Sequence, residues 1–156
     1  MKKWVLLLTI IALATLQLTW PGFLTFFNAR PDLLLIFVIA AVFYLDFKVA
    51  LALSILCGLL KDVFLPGSFG INTILFPAWC YAIWRLGRQI STEFYFIRPA
   101  LVLTTALLNN IISGLQSVNL GGIIPPGIFL LNLIIPSVYT AALSPLIFKL
   151  TKKIAA

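Results

Sequence analysis

Few side chains in this sequence could do chemistry, and the densest group of them lies in CGLLKDVFLPGSFGIN, residues 57–72, where a lysine and an aspartate stand side by side in apolar surroundings. Gly58 and Asp62 are four residues apart and share a helix face, with Lys61 pointing elsewhere. A glycine at that position lets a neighbouring helix approach closely. The Asp62 carboxylate then faces the interior or the water boundary, where it accepts hydrogen bonds. The donors in reach are exposed backbone N–H groups at the start of the next helix, near Gly70-Ile71-Asn72, where an anion is favourable. Pro66-Gly67 and Gly70 make the turn, and Asn72 caps or braces the entry to that helix. Three roles are open to Asp62: tying a re-entering chain together, forming part of a partner surface or pocket, or coupling a proton or ion.

Two further polar lines recur at helical spacing. Thr105, Asn109 and Ser113 follow one another every four residues, with Asn110 and Ser117 alongside; Asn132, Pro136, Thr140 and Ser144 do the same later in the chain. Unpaired amides are costly in hydrocarbon, so these lines face the bundle interior, a partner helix or a wet cavity. A catalytic set is hard to assemble from what is left. There is no histidine, the one glutamate is Glu93, and no nucleophile has an evident base. Cys57 and Cys80 form no CxxC and read as two buried small hydrophobes. The expectation is a protein without enzymatic activity, cofactor or metal.

The elements that must carry these residues are membrane helices. Of 156 residues 62% are hydrophobic and 10% charged, with a mean hydropathy of +1.13, against about 25% charged residues in a soluble domain. The formal charge of +7 is spread over the ends of apolar runs, which fits orientation in an anionic bilayer and excludes a nucleic-acid footprint. The N-terminal MKKWVLLLTIIALATL has the basic start and apolar core of a signal peptide, but the apolar run continues to Trp20, with Trp4 and Trp20 placed as an interfacial belt. It reads as an uncleaved first helix.

The whole chain, 1–156, reads as one integral membrane domain, all-α, with spans at about 4–22, 31–46, 48–64, 68–87, 99–117 and 127–148. The segment from Arg30 to Lys61 is the ambiguous one. Residues 33–45 make only about 20 Å of helix at ~1.5 Å per residue, short of a hydrocarbon core of roughly 30 Å. They form either two short spans joined at Asp46-Phe47-Lys48 or one long span with two charges in its middle. Six spans with both termini in the cytoplasm of a bacterial inner membrane place Lys2, Lys3, Lys48, Arg85, Arg88, Arg98, Lys149, Lys152 and Lys153 inside, and only Arg30 and Lys61 outside. Five spans bury Lys48 in the bilayer and distribute the basic residues less well, so the positive-inside rule prefers six. The short second and third helices are then accommodated either by packing centrally or by extending their ends into Asp32 and Lys61-Asp62, with Lys61 snorkelling to the outer interface.

Arg30-Pro31-Asp32, then Gly58-Leu59-Leu60, Asp62, Pro66-Gly67, Gly70 and Asn72, followed by the apolar run of the fourth helix, together resemble the bacterial rod shape-determining protein MreD family. The likeness is specific over residues 30–80 and extends by hydropathy and length over nearly the whole chain. It implies a fold like the S-components of energy-coupling-factor vitamin transporters, without transport. It also implies a scaffold role in cell elongation and peptidoglycan synthesis. The implied partners are the single-span protein MreC and, within a larger Rod complex, MreB filaments, the glycosyltransferase RodA and a class B penicillin-binding protein. The chain departs from the family pattern at Lys61, where an apolar residue is usual, and in its short second and third helices. On the residues alone a small-solute-binding transporter subunit stays open as the alternative. A retained small molecule would favour it.

Overall fold

The computed structural model describes residues 3–25, 29–64, 70–90 and 95–156. Among these, six α-helices follow in order: α1 (Lys3–Leu18), α2 (Leu33–Tyr44), α3 (Phe47–Phe64), α4 (Ile71–Gly87), α5 (Ile97–Asn119) and α6 (Pro126–Ala155), with a short 3-10 turn at Gly22–Leu24 between α1 and α2. The ambiguous stretch resolves as two helices, with the break at Leu45-Asp46 rather than across Asp46-Phe47-Lys48. Phe47 and Lys48 already belong to α3, and α3 runs on through Lys61 and Asp62 to Phe64. α1 ends at Leu18, before the apolar run does, because Trp20-Pro21-Gly22 cannot continue a helix.

The packing follows from α2. Its residues from Leu33 to Ala41 are all buried, as expected of a helix that is apolar on every side. α2 is the central strut, packed on α1, α3, α4 and α6 and touching α5, while α3 pairs with α4 and α5 with α6. The core is Leu33 to Ala41 together with Ile10, Cys57, Phe76, Cys80, Ile83, Val102 and Phe148. Cys57 and Cys80 sit in it as free thiols. The outside is apolar as well: Trp4 is 78% exposed, and Leu8, Val63, Ile74 and Leu146 are also out. A soluble fold does not leave apolar surface on that scale uncovered. α5 and α6, at about 35 and 45 Å for ~1.5 Å per residue, are both long and apolar enough to cross a bilayer.

Within α6, Pro145 removes the N–H that would bond the Ala141 carbonyl. Ser144 Oγ donates to that same carbonyl at 2.7 Å, so the helix keeps its polar groups satisfied without a break. At the end of the bundle holding the α2–α3 and α4–α5 connections, cations lie over aromatic rings. Arg88 is 4.1 Å from the Trp84 ring centroid and Arg98 is 5.4 Å from that of Tyr44. Arg98 Nη1 also donates to the Tyr44 hydroxyl at 2.6 Å, which pins the start of α5 to the end of α2. Glu93, assigned to the same region, lies outside the described residues.

Candidate functional site

The opposite end of the bundle gathers the end of α3 and the starts of α2 and α4. A helix start leaves backbone N–H groups without partners, and in an apolar surrounding each must be satisfied within the protein. Two carboxylates do this for two helices.

Asp62 serves α4. The residue preceding that helix, Gly70, is in the left-handed region with φ 79° and has no side chain with which to cap it. Asp62, a turn back along the chain on α3, supplies the missing acceptor. Its Oδ1 accepts from the Asn72 N–H at 3.2 Å and from Asn72 Nδ2 at 2.8 Å. Its Oδ2 accepts from the Thr73 N–H at 2.8 Å and from Thr73 Oγ1 at 2.6 Å. The carboxylate thus meets the first turn of α4, where the partial positive charge of the helix is concentrated.

Gly58, one turn earlier on the same face, makes this contact possible. A Cβ there would lie 2.8 Å from Thr73 Cα and closer still to the Asn72 carbonyl oxygen. Only glycine lets α3 and α4 approach closely enough for Asp62 to reach the N–H groups. Asn72 is buried, and its Oδ1 has no hydrogen-bond partner among the described residues. Pro66 and Gly67, named with these residues as the turn, lie outside the described residues.

Asp32 serves α2. Its Oδ1 accepts from the Leu35 N–H at 3.2 Å as a side-chain N-cap. The Asp32 N–H donates to Thr140 Oγ1 on α6 at 3.1 Å, and the Leu34 N–H donates to Gln17 Oε1 on α1 at 3.2 Å. The start of the central helix is therefore tied to α1 and α6. It is tied to α3 by Lys61, whose ammonium donates to Asp32 Oδ2; the two side chains are 11% and 14% exposed. Lys61 does not snorkel outward. It turns inward to an ion pair and lies 5.1 Å from the Phe76 ring centroid, because a counter-ion is within reach of its stem. The adjacent Lys61 and Asp62 thus point to two different helix starts.

The polar lines divide. Thr105 is buried and bonds back to the Leu101 carbonyl at 2.7 Å, and Asn109 Oδ1 accepts from Trp79 Nε1 at 3.3 Å. Asn110 Nδ2 donates to Ser137 Oγ across α5 and α6 at 3.0 Å. Thr140 and Ser144 are buried, Thr140 as the acceptor for Asp32. Ser113 and Asn132 differ: with Gly114 and Phe129 they line an open groove between α5 and α6. Sequence reasoning missed Thr73, Gln17, Ser137 and the Asp32–Lys61 pair. The helical spacing from Gly58 and Asp62 pointed to the start of α4, but nothing local to Gln17 or Ser137 marks their partners 17 and 27 residues away.

A cavity of about 270 Å³ lies at the start of α2, walled by α1, α3, α5 and α6. Among the described residues no group of three or more His, Cys, Asp or Glu could hold a metal ion. The arrangement is one of hydrogen-bond ties, with no nucleophile set against a base.

No curated protein and no solved structure matches the chain. The family model described as "MreD: rod shape-determining protein MreD" matches residues 1–154. An all-helical multi-pass membrane protein, matched over nearly its entire length, this chain belongs to the rod shape-determining MreD family, whose members act in cell shape without catalysis.

Proposed function

We propose that this chain is a membrane scaffold of the cell-wall elongation machinery, binding the transmembrane helix and adjoining periplasmic segment of an MreC-like single-span protein. In this reading all six helices cross the inner membrane, as in an S-component bundle, with both termini in the cytoplasm. The larger assembly includes RodA, a class B penicillin-binding protein and MreB-type filaments, and the basic residues of the cytoplasmic face contact anionic lipids. The observation that carries the proposal is the family match over residues 1–154.

The partner's helix is best seated on the groove between α5 and α6. Asn132 and Ser117 are exposed there and Ser113 faces it, whereas Thr105, Asn109, Asn110, Thr140 and Ser144 are buried or half-buried. An exposed amide on an otherwise apolar helix is costly in lipid and is relieved by a partner helix that bonds it. Gly114, whose Cβ would meet Phe129 at 2.6 Å, keeps the floor of the groove closely packed.

The test is co-expression with the MreC-like protein of the same genome and extraction in mild detergent. The two chains should co-elute stoichiometrically. Co-elution should be lost when the partner's transmembrane segment is exchanged for an unrelated one, and weakened by Asn132→Leu. A chain that elutes alone in monodisperse form would sink the scaffold reading. The second reading, a small-solute-binding transporter subunit, is favoured by the cavity at the start of α2; it requires a soluble molecule retained through purification.

A further inference from the structure

The cavity owes its existence to the length of α2. A 12-residue helix is about 18 Å long at ~1.5 Å per residue, whereas its neighbours α3 and α6 continue past its start. The space left beyond Asp32 is walled by Gln17 and Leu18 of α1, Lys61 and Phe64 of α3, Asn110 of α5 and Thr140 of α6. At about 270 Å³ it is just below the roughly 300–1,000 Å³ of drug-sized ligand pockets, which is the scale of a headgroup.

The hydrogen-bonding capacity left over in this cavity has a sign. Both oxygens of its one carboxylate are engaged, Oδ1 by the Leu35 N–H and Oδ2 by Lys61. Lys61 has three N–H bonds and uses one on Asp32. Gln17 has used its oxygen on the Leu34 N–H, and its NH₂ has no hydrogen bond among the described residues. Arg30, exposed at the rim, makes no ion pair among them. The start of α2 adds the positive end of a helix dipole. Opposing these donors is Asn110 Oδ1, which has no hydrogen bond among the described residues, its Nδ2 donating to Ser137 Oγ. The Thr140 hydroxyl already donates to the Pro136 carbonyl and accepts from the Asp32 N–H. Such a site takes an anion through Arg30, Lys61 and Gln17 and a hydroxyl through Asn110. The remaining wall, from Leu18, Leu34, Leu35 and Phe64, is apolar.

We propose that this cavity binds a hydroxylated phosphate, the chemistry shared by a glycerophospholipid headgroup of the phosphatidylglycerol kind and a free polyol phosphate. Arg30 and Lys61 are its charge partners. The site depends on the fold and not on the scaffold reading: lipid preference is measured on the isolated chain, and its loss leaves co-elution with a partner untouched.

The experiment titrates the full-length protein, purified in a neutral detergent, with dihexanoylphosphatidylglycerol. In parallel it is titrated with dihexanoylphosphatidylcholine, which has the same tails and a zwitterionic head without a hydroxyl, and bound molecules are counted by native mass spectrometry. One phosphatidylglycerol should be retained, with a preference of roughly tenfold or more. Arg30→Gln should abolish most of that preference without moving the thermal midpoint, since Arg30 is exposed and makes no ion pair among the described residues. Arg85→Gln, which removes the same charge at the other end of the bundle, should leave it intact. Glycerol phosphate then separates the sources. If it displaces the lipid at comparable concentration, the occupant is a soluble polyol phosphate; if it does not, the acyl chains contribute and the occupant is a membrane lipid. Equal retention of the two lipids, or equal effects of the two arginine substitutions, overturns the site.

Discussion

Asp62 and Gly58 act as one device, and their substitutions should fail in different ways. Asp62→Ala leaves the Asn72 and Thr73 donors without an acceptor at a partly buried position. The expected loss is about 2–4 kcal/mol, the range for bonds to a charged group plus stranded donors. Asp62→Asn retains one acceptor oxygen and should lose less. Gly58→Ala keeps the carboxylate but drives a methyl group into the Asn72–Thr73 backbone, an overpacking cost of about 1–3 kcal/mol. Unfolding midpoints of the three variants in mixed detergent give the order. Wild-type midpoints and normal membrane abundance would remove this end of α3 from any account of stability.

At the scale of elements, the start of α2 is held from three sides, by Gln17, Thr140 and Lys61. Lys61 acts on the helix only through Asp32, so Lys61→Met and Asp32→Asn should be non-additive. A double-mutant cycle on unfolding free energy should return a coupling of about 0.5–3 kcal/mol, and a value near zero would mean the pair is not maintained in the bilayer. In α6, Ser144→Ala uncovers the Ala141 carbonyl that Pro145 cannot serve, at a cost of about 1 kcal/mol. Restoring the backbone donor with Pro145→Ala in the same chain should recover it.

For the molecule as a whole, the orientation of the bundle in the membrane follows from where its basic residues collect. Ile123, 98% exposed in the α5–α6 connection, should react as Ile123→Cys with an impermeant maleimide added outside intact cells. Ala156→Cys should react only after permeabilisation. The native Cys57 and Cys80 are buried and give little background. The reverse pattern would invert the bundle and move the cavity to the cytoplasmic face.

Composition and charge placement determined what kind of protein this is. Hydropathy that high cannot face water, basic residues collect at helix ends, and the sequence holds no histidine and a single glutamate. Gly58, Asp62, Gly70 and Asn72 were legible together because Gly58 and Asp62 are one helical turn apart and Gly70 and Asn72 follow across a short turn. Local spacing therefore limits what they can touch. Only the tertiary structure decided the rest. That Lys61 turns to Asp32, that Gln17 and Thr140 satisfy the start of α2, and that a short central helix leaves a donor-lined cavity all depend on which helices pack side by side. Apolar helices carry little information about their neighbours, since one leucine packs on another almost as well as on the next. The few polar groups choose between arrangements, and they do so through partners distant in the chain.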